Sequence, residues 1–383
     1  MIPGFFIYIY ILLGILVLYF DTTQRSEATY TRLFNFVYVI LALIAAFSYG
    51  VGNDTYAYKM ELHEVPTLEN ISLKDFIETR YQPLFIVICS LCRTIYDDLL
   101  ILQLLQVFLV YHSFYLVLRK LGLRKFWVLF LFFGYCFIAL LSARRESFGL
   151  AFCFYAMLFY MDRKWMPYYV LIVLGFLCHS GMFIFAAFPM VCVFGKKRFL
   201  NLLVIFTIVY LIQFSFQYLH VFEEIVNEND SIMRYSLEDD NRHLDAAAII
   251  LIVVELFIII RYALWNGNFQ SEEIDINLIY IGLLHVALGF LSTVIPIIYR
   301  YRTHFSIFLF FTLKACFSGA NRNKIVVAFI FLVFSYSPIV TFIYSCNNHP
   351  LAYYYCSYFS SEQSKAEMDV LAAKIYWKDR AIK

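Results

Sequence analysis

Apolar runs of roughly twenty residues recur along this chain almost to its end, and that is the length an α-helix needs to cross a hydrocarbon layer about 30 Å thick. Of the 383 residues 62% are hydrophobic and 15% charged, against about 25% charged in a soluble domain. Mean hydropathy is +0.72. The expected fold class is an all-α polytopic membrane protein with no soluble domain. Residues 2–20 have no basic leader and no small-residue cleavage site after them, so they read as a retained helix and not as a signal peptide.

About twelve transmembrane helices are expected, near 2–20, 33–49, 99–118, 126–142, 148–161, 168–178, 182–194, 199–219, 246–264, 276–299, 303–317 and 325–345. Residues 1–345 form a single transmembrane domain on this reading, with extracytoplasmic loops near 50–82 and 220–245. An extracytoplasmic C-terminal tail, 346–383, comes after it and carries a surface helix near 369–377. No internal repeat is present.

Lys and Arg in short loops favour the cytoplasm. The cytoplasmic turns are then those with Arg119, Lys120, Arg124 and Lys125, with Arg163 and Lys164, with Lys196, Lys197 and Arg198, and with Arg322 and Lys324. Trp127, Trp165 and Trp265 stand beside these ends, as interfacial aromatics do. For both 163–164 and 196–198 to lie inside, the chain between them must cross twice, turning at His179-Ser180-Gly181, which puts His179 outside. The same parity puts Arg144 and Arg145 outside, against the simple rule. An Arg in the bilayer costs on the order of 3 kcal/mol, so two adjacent ones on the disfavoured face suggest an anionic partner; the plain alternative is a pair snorkelling at a helix end.

Residues 83–95 are short for a span and carry Arg93. Either they form a re-entrant dip, in which case Asp54 and Arg80 share the outer face with Arg144 and His179, or they cross and leave both inside. The dip is the reading adopted, giving twelve crossings and both termini outside.

Three polar clusters then open on one face: Gly52-Asn53-Asp54-Thr55-Tyr56, Ser142-Ala143-Arg144-Arg145-Glu146 and Cys178-His179-Ser180-Gly181. Arginine forks bind phosphate through paired hydrogen bonds and never deprotonate. Arg300 and Arg302 end another span on the same face and make a second candidate clamp. An imidazole titrates near neutrality, so His179 suits proton transfer, and Asp54 suits the same task, or orients the His or binds a hydroxyl. The plain alternatives are a polar cap at a helix break for His179 and a turn residue for Asp54.

Other signals are weaker. The nine cysteines lie mostly in apolar runs and set no disulfide framework; Cys89 and Cys92 have CxxC spacing without further ligands, and Cys346 and Cys356 are in position to pair only if the tail is extracytoplasmic. His112, His285 and His304 lie in or at the ends of spans. Glu238, Asp239 and Asp240 suit a hard cation but fit a solvated loop better, so neither metal nor cofactor is expected. A net charge of +2 in short clusters implies no nucleic acid. No Walker loop, Gly-rich fingerprint or D-x-D motif supports a soluble nucleotide donor. The 31 Tyr and 42 Phe suit a lipid groove and sugar stacking, though most serve packing.

In chain order, YGVGNDTYAY at 49–58, YQPLF at 81–85, SARRESFGLAF at 142–152, the turn Asp162-Arg163-Lys164 and LGFLCHSGMFIF at 174–185 together resemble the EpsG family of Wzy-like bacterial polysaccharide polymerases. The family pattern is approximately Gly-x-Asp-x-x-x-Tyr, then an Arg opening a helix, then a helix ending in Phe-His-x-Ser. Gly52, Asp54, Tyr58, one of Arg144 and Arg145, and His179 fit, while Leu177-Cys178 replaces the usual residue before His. The likeness covers roughly 49–189; beyond 199 it is one of length and hydropathy. It implies a GT-C-like architecture in the bacterial inner membrane and a substrate repeat unit carried on undecaprenyl diphosphate, polymerised at the outer face, with His179 and Asp54 catalytic. The candidates for binding diphosphate or sugar are Arg144, Arg145, Arg300, Arg302, Tyr58 and Arg80; which arginine is equivalent to the family's, and whether Arg300 and Arg302 take part, the resemblance leaves open. Membrane lipid, a chain-length regulator and a flippase are the partners it suggests. A flippase of the same lipid-linked glycan and a glycan ligase are the rival functions.

Overall fold

The structure, a computed structural model, describes residues 1–21, 26–52, 54–78, 81–191, 246–265, 273–291, 304–320, 323–348, 351 and 354–381. Arg80, Arg300, Arg302, the expected span 199–219 and the loop 220–245 lie outside the described residues. The chain divides into two compact units, Met1–Ala186 with Pro338–Lys383, and Ala187–Ser337.

The first unit holds all the described polar clusters. Helix α1 (Phe5–Leu16) runs on through a wide π turn, Val17–Asp21, into the connection to α2 (Glu27–Ala46). Ser26 caps α2, its hydroxyl accepting from the Thr29 N–H at 3.3 Å, the role Ser plays at a helix start. The polar stretch after α2 contains two short helices, α3 (Thr55–Glu64) and α4 (Leu73–Glu78). Then come α5 (Pro83–Ile95), with Pro in its first turn, and α6 (Leu99–Lys120), capped by Asp98. Next, α7 (Phe126–Phe132) passes through a π turn into α8 (Ile138–Ser142). Ala143 interrupts the helix. Beyond it run α9 (Arg144–Met161) and α10 (Trp165–Cys178), and then a 3₁₀ segment, Ser180–Ala187.

Contacts define two ends of this unit. At one, Lys120 pairs with Asp162, the Trp127 N–H donates to Asp21 at 2.8 Å and the Phe126 N–H to the Tyr30 hydroxyl at 3.0 Å. Arg119, Arg124, Lys125, Arg163 and Lys164 stand there too, which makes it the basic end. At the other, the start of α6 meets the end of α2, because the Gln103 side chain donates to the carbonyls of Ala45 and Ser48 at 2.8 and 2.6 Å.

Helix α5 begins and ends at that second end. Tyr81, just before it, lies under Arg145. At its far end Arg93 bonds the Val65 carbonyl, Thr94 accepts from the Leu68 N–H at 2.9 Å, and Asp97 pairs with His63 at 3.1 Å. Its core face is Phe85, Ile86, Cys89 and Cys92, packed against Tyr58, Leu62 and Phe148.

In the second unit come α11 (Phe188–Val191), α12 (Ala246–Ile258), α13 (Glu273–Leu291), α14 (Ser306–Gly319) and the first part of α15 (Lys324–Asn348). Gly282 lies against Thr312 and Gly319 against the Tyr262 carbonyl, so α14 approaches its neighbours at small residues, the usual way membrane helices close on one another.

Two of the described helices, Glu27–Ala46 and Leu99–Lys120, are long and apolar enough to cross a bilayer. Phe5–Asp21, Pro83–Ile95, Phe126–Ser142, Trp165–Cys178, Ile276–Gly289, Ser306–Gly319 and Lys324–Val340 are shorter apolar helices. By this measure the described residues hold two full-length spans. The turn expected at His179-Ser180-Gly181 is present. His179 takes an extended conformation, and a 3₁₀ segment occupies the start of the span expected near 182–194.

Residues Tyr354–Tyr355 (β2) pair antiparallel with Ile2–Pro3 (β1), and α16 (Glu362–Ala381) packs on α3. Cys346 and Cys356 are in no disulfide, nor are Cys89 and Cys92.

Candidate functional site

Arg144 opens α9 and is 1% exposed. Its Nη1 donates to the Gln106 carbonyl oxygen at 3.0 Å and its Nη2 to that of Gln103 at 2.9 Å. Each glutamine is itself tied down: Gln106 donates to the Leu140 carbonyl at 2.5 Å, and Gln103 to the turn after α2. Positions 103 and 106 are one helical turn apart on α6, so they present both carbonyl oxygens on one face. That is a fork receiver matched to a guanidinium.

The charge arrangement is unusual. Among the described residues no carboxylate lies within ion-pair distance of Arg144, and its Nε–H has no partner there. A buried guanidinium stays charged, and an uncompensated buried charge costs several kcal/mol. No side chain caps the start of α9, so the positive end of the helix dipole adds to the same potential.

Arg145 stands beside it, half-buried, with its guanidinium 4.5 Å over the Tyr81 ring and its own Nε–H without a partner among the described residues. Tyr58 is near enough for the charges of Arg145 and Asp54 both to act on its phenol. Burial, the largest influence, raises the Tyr58 pKa, keeping the phenol neutral.

Gly52 explains how the Asp54 loop reaches this place. It has φ +97°, and a Cβ there would lie 2.6 Å from the Ser142 Cα. Only glycine permits both the left-handed backbone and that approach. The loop leading to Asp54 is thereby pressed onto the turn that leads to Arg144.

His179 lies deeper. Its Cβ is 3.4 Å from where a Cβ on Gly149 would be, and Gly149 is about 7.5 Å along α9 from Arg144 at 1.5 Å per residue. Its Nδ1 accepts from the Gly181 N–H at 3.2 Å, which serves the turn. The structure therefore brings Asp54, Tyr58, Arg144 and Arg145 together and sets His179 further down the same helix.

Four residues of this site gave no sequence signal. Gln103 and Gln106 sit inside an apolar run, and their i, i+3 spacing was the one available clue. Asp98 and Tyr358 act electrostatically on Arg144, and Tyr358 comes from the tail. Beneath Gln106 is a small apolar cleft, lined by Val107, Val110, Phe137 and Leu140 among others. Among the described residues no group of three or more His, Cys, Asp or Glu side chains is placed to hold a metal ion.

Apolar helices with a desolvated cationic site at one end of the first unit fit a membrane protein. A family model described as the EpsG family matches residues 31–360, and the chain belongs to that family. Membership carries a polymerase-like role in polysaccharide biosynthesis, consistent with glycosyltransferase-type chemistry. The match extends well past the 49–189 stretch in which motifs were legible. No curated relative and no solved structure matches the chain.

Proposed function

We propose that this protein polymerises oligosaccharide repeat units carried on undecaprenyl diphosphate, as a Wzy-type enzyme of GT-C-like architecture at the outer face of the bacterial inner membrane. The observation that carries the reading is Arg144: a fully buried guanidinium held by two neutral amides at an uncapped helix start, without an ion-pair partner among the described residues. Such a group fits a ligand that brings its own negative charge.

The donor diphosphate binds at Arg144 and Arg145, with the two open Nε–H groups as donors. The acceptor hydroxyl oxygen attacks the anomeric carbon. The bond from that carbon to the diphosphate oxygen breaks and its electron pair leaves on the diphosphate, where the arginines stabilise it; donors of this kind are worth roughly 3 to 4 kcal/mol each. Asp54 or His179 receives the hydroxyl proton, and Arg80, Arg300 and Arg302 are further candidates for sugar or diphosphate. The basic residues at the opposite end of the first unit favour the cytoplasm, which supports an outward-facing site and a chain crossing the membrane about twelve times. A flippase would need its charges in a cavity open to both sides, and here they gather at one end.

The test is purified protein in lipid with an undecaprenyl-diphosphate-linked repeat unit and no nucleotide sugar. A ladder of multiples is expected. Unextended units that change leaflet would replace the polymerase by a transporter.

A further inference from the structure

The segment that carries Asp54 is held by two separate parts of the first unit. Gly52 fits it to the turn before Arg144, as described above, and the C-terminal tail holds it elsewhere. The Tyr49 N–H donates to the Cys356 carbonyl at 2.7 Å and the Tyr358 N–H to the Phe47 carbonyl at 3.0 Å, making an antiparallel bridge between Ser48 and Ser357. The Tyr49 and Tyr358 rings pack edge-on beside it, with centroids 5.1 Å apart at 85°.

The tail then enters α16, whose Met368 is fully buried against Tyr49, Leu351 and Cys356. Met368 also closes on Gly50. That glycine has φ +71°, and a Cβ on it would lie 2.7 Å from the Met368 Cγ, so helix and turn meet with no room for a side chain between them. Asp369, the next residue, accepts from the Lys59 ammonium at 2.9 Å and from the Tyr49 hydroxyl at 2.8 Å. The helix therefore holds the segment before Asp54, at 49–50, and after it, at 59. Between these holds the chain has little freedom: Val51 is buried, its carbonyl accepts the Thr55 hydroxyl at 2.5 Å, and the Gly52 carbonyl accepts the Thr55 N–H at 3.2 Å. Release at Gly50 would let Gly52 withdraw from Ser142 and carry Asp54 with it. A misplacement of about 1 Å from a remote change can cost on the order of a hundredfold in rate.

Resting on the polymerase reading above, we propose that Met368 is a positioning residue: packed into the Gly50 turn, it holds the loop so that Asp54 meets the acceptor hydroxyl beside Arg144. Asp369 secures it there through Lys59 and Tyr49. Both residues lie beyond the family match, which ends at residue 360, so that match does not supply this contact.

The test uses the full-length protein in lipid, the ladder assay, and initial extension rates against the concentration of lipid-linked unit. Met368→Ala should lower kcat about tenfold with KM within about twofold, because the acceptor proton loses its receiver while the diphosphate keeps Arg144. Met368→Leu conserves the volume and should hold kcat within about twofold of wild type. In an Asp54→Asn background, Met368→Ala should lower kcat by less than about twofold more, since changes that act through one group do not multiply. Asp369→Asn leaves the packing under Met368 intact and should lower kcat about threefold, with the same dependence on Asp54. Amide exchange over residues 50–58 should quicken in Met368→Ala and in Asp369→Asn, while that over 145–152 stays as in wild type. Unchanged kcat or unchanged exchange over 50–58 in both variants, a normal kcat in Asp54→Asn, or a full loss repeated in the Asp54→Asn background overturns the proposal and leaves the polymerase standing. A wild-type protein that makes no ladder overturns the polymerase reading itself, and this proposal with it.

Discussion

Arg144 meets Gln103 through a 2.9 Å hydrogen bond in which a buried cation is held by a neutral amide. The same Gln103 side chain donates to the Ser48 carbonyl at 2.6 Å, so one residue couples α9, α6 and the turn that ends α2. A carboxylate in its place would hold the guanidinium more strongly and cancel its charge. An amide orients and leaves the charge available.

That distinction can be measured at Gln106, whose amide nitrogen donates to the Leu140 carbonyl, an acceptor already served by the Ser147 hydroxyl at 2.7 Å. Gln106→Glu should form an ion pair with Arg144. Thermal stability should hold or increase, since a charged hydrogen bond is worth roughly 1.5 to 3 kcal/mol, while the extension rate should fall at least tenfold. A stable Gln106→Glu protein with wild-type ladders would mean that Arg144 is structural.

Gly52→Ala probes the approach of the Asp54 loop. Its Cβ would lie 2.6 Å from the Ser142 Cα at a residue with φ +97°, where non-glycine residues cost on the order of 1 to 3 kcal/mol in backbone strain alone. Melting in detergent should drop by several degrees and ladders should shorten. A control at Gly14, where a Cβ would meet only ordinary contacts, the nearest at 3.5 Å, should change neither.

Much of this was legible in the sequence, unevenly. The convergence of Gly52, Asp54, Tyr58 and Arg145 could be anticipated because charge at the edge of an apolar run must find a polar setting. Arg144 was visible for the same reason. Its glutamines were not, since an amide inside an apolar helix changes hydropathy too little to stand out. The break at His179-Ser180-Gly181 was legible because a polar triplet interrupts the apolar run there, whereas the π turns at Val17–Asp21 and Phe133–Phe137 fall inside continuous apolar sequence and leave no such mark. The tail's part was hidden for another reason, because its placement depends on strand pairing between residues more than three hundred positions apart.

The latch on the tail offers a third prediction. Lys59 donates to the Tyr49 hydroxyl and to Asp369, both at 2.9 Å, and Tyr49 donates to the same carboxylate at 2.8 Å. Burial lowers the Lys59 pKa, but the hydrogen bonds to Tyr49 and Asp369 outweigh it and the net shift is upward. A lysine raised in the folded state contributes stability that is complete below its ordinary value near 10.4 and disappears only as pH rises through the higher folded value. Tryptic cleavage within α16 should therefore be slow and constant from about pH 6 to 9 in wild type. Lys59→Met should accelerate it severalfold at every pH in that range; equal rates would show that α16 is held by Met368 and Leu371 alone.

The two arginines should differ when each becomes lysine. A lysine at 144 keeps the charge but cannot reach both glutamine oxygens in a fork, which strands a buried acceptor at a cost of roughly 1 to 3 kcal/mol. Arg144→Lys should therefore melt earlier and retain only a small fraction of the extension rate. Arg145 is half-buried, and its 4.5 Å contact with the Tyr81 ring is one an ammonium also makes, worth about 0.5 to 1 kcal/mol at an exposed site. Arg145→Lys should melt normally and, having lost one of the diphosphate donors but no buried hydrogen bond, keep more of its activity than Arg144→Lys. Ladder length and melting temperature measured on the two variants at matched expression decide the matter: an inverted order, with Arg145→Lys the more damaged, would move the diphosphate contact to the Arg145, Tyr58 and Tyr81 side of the site.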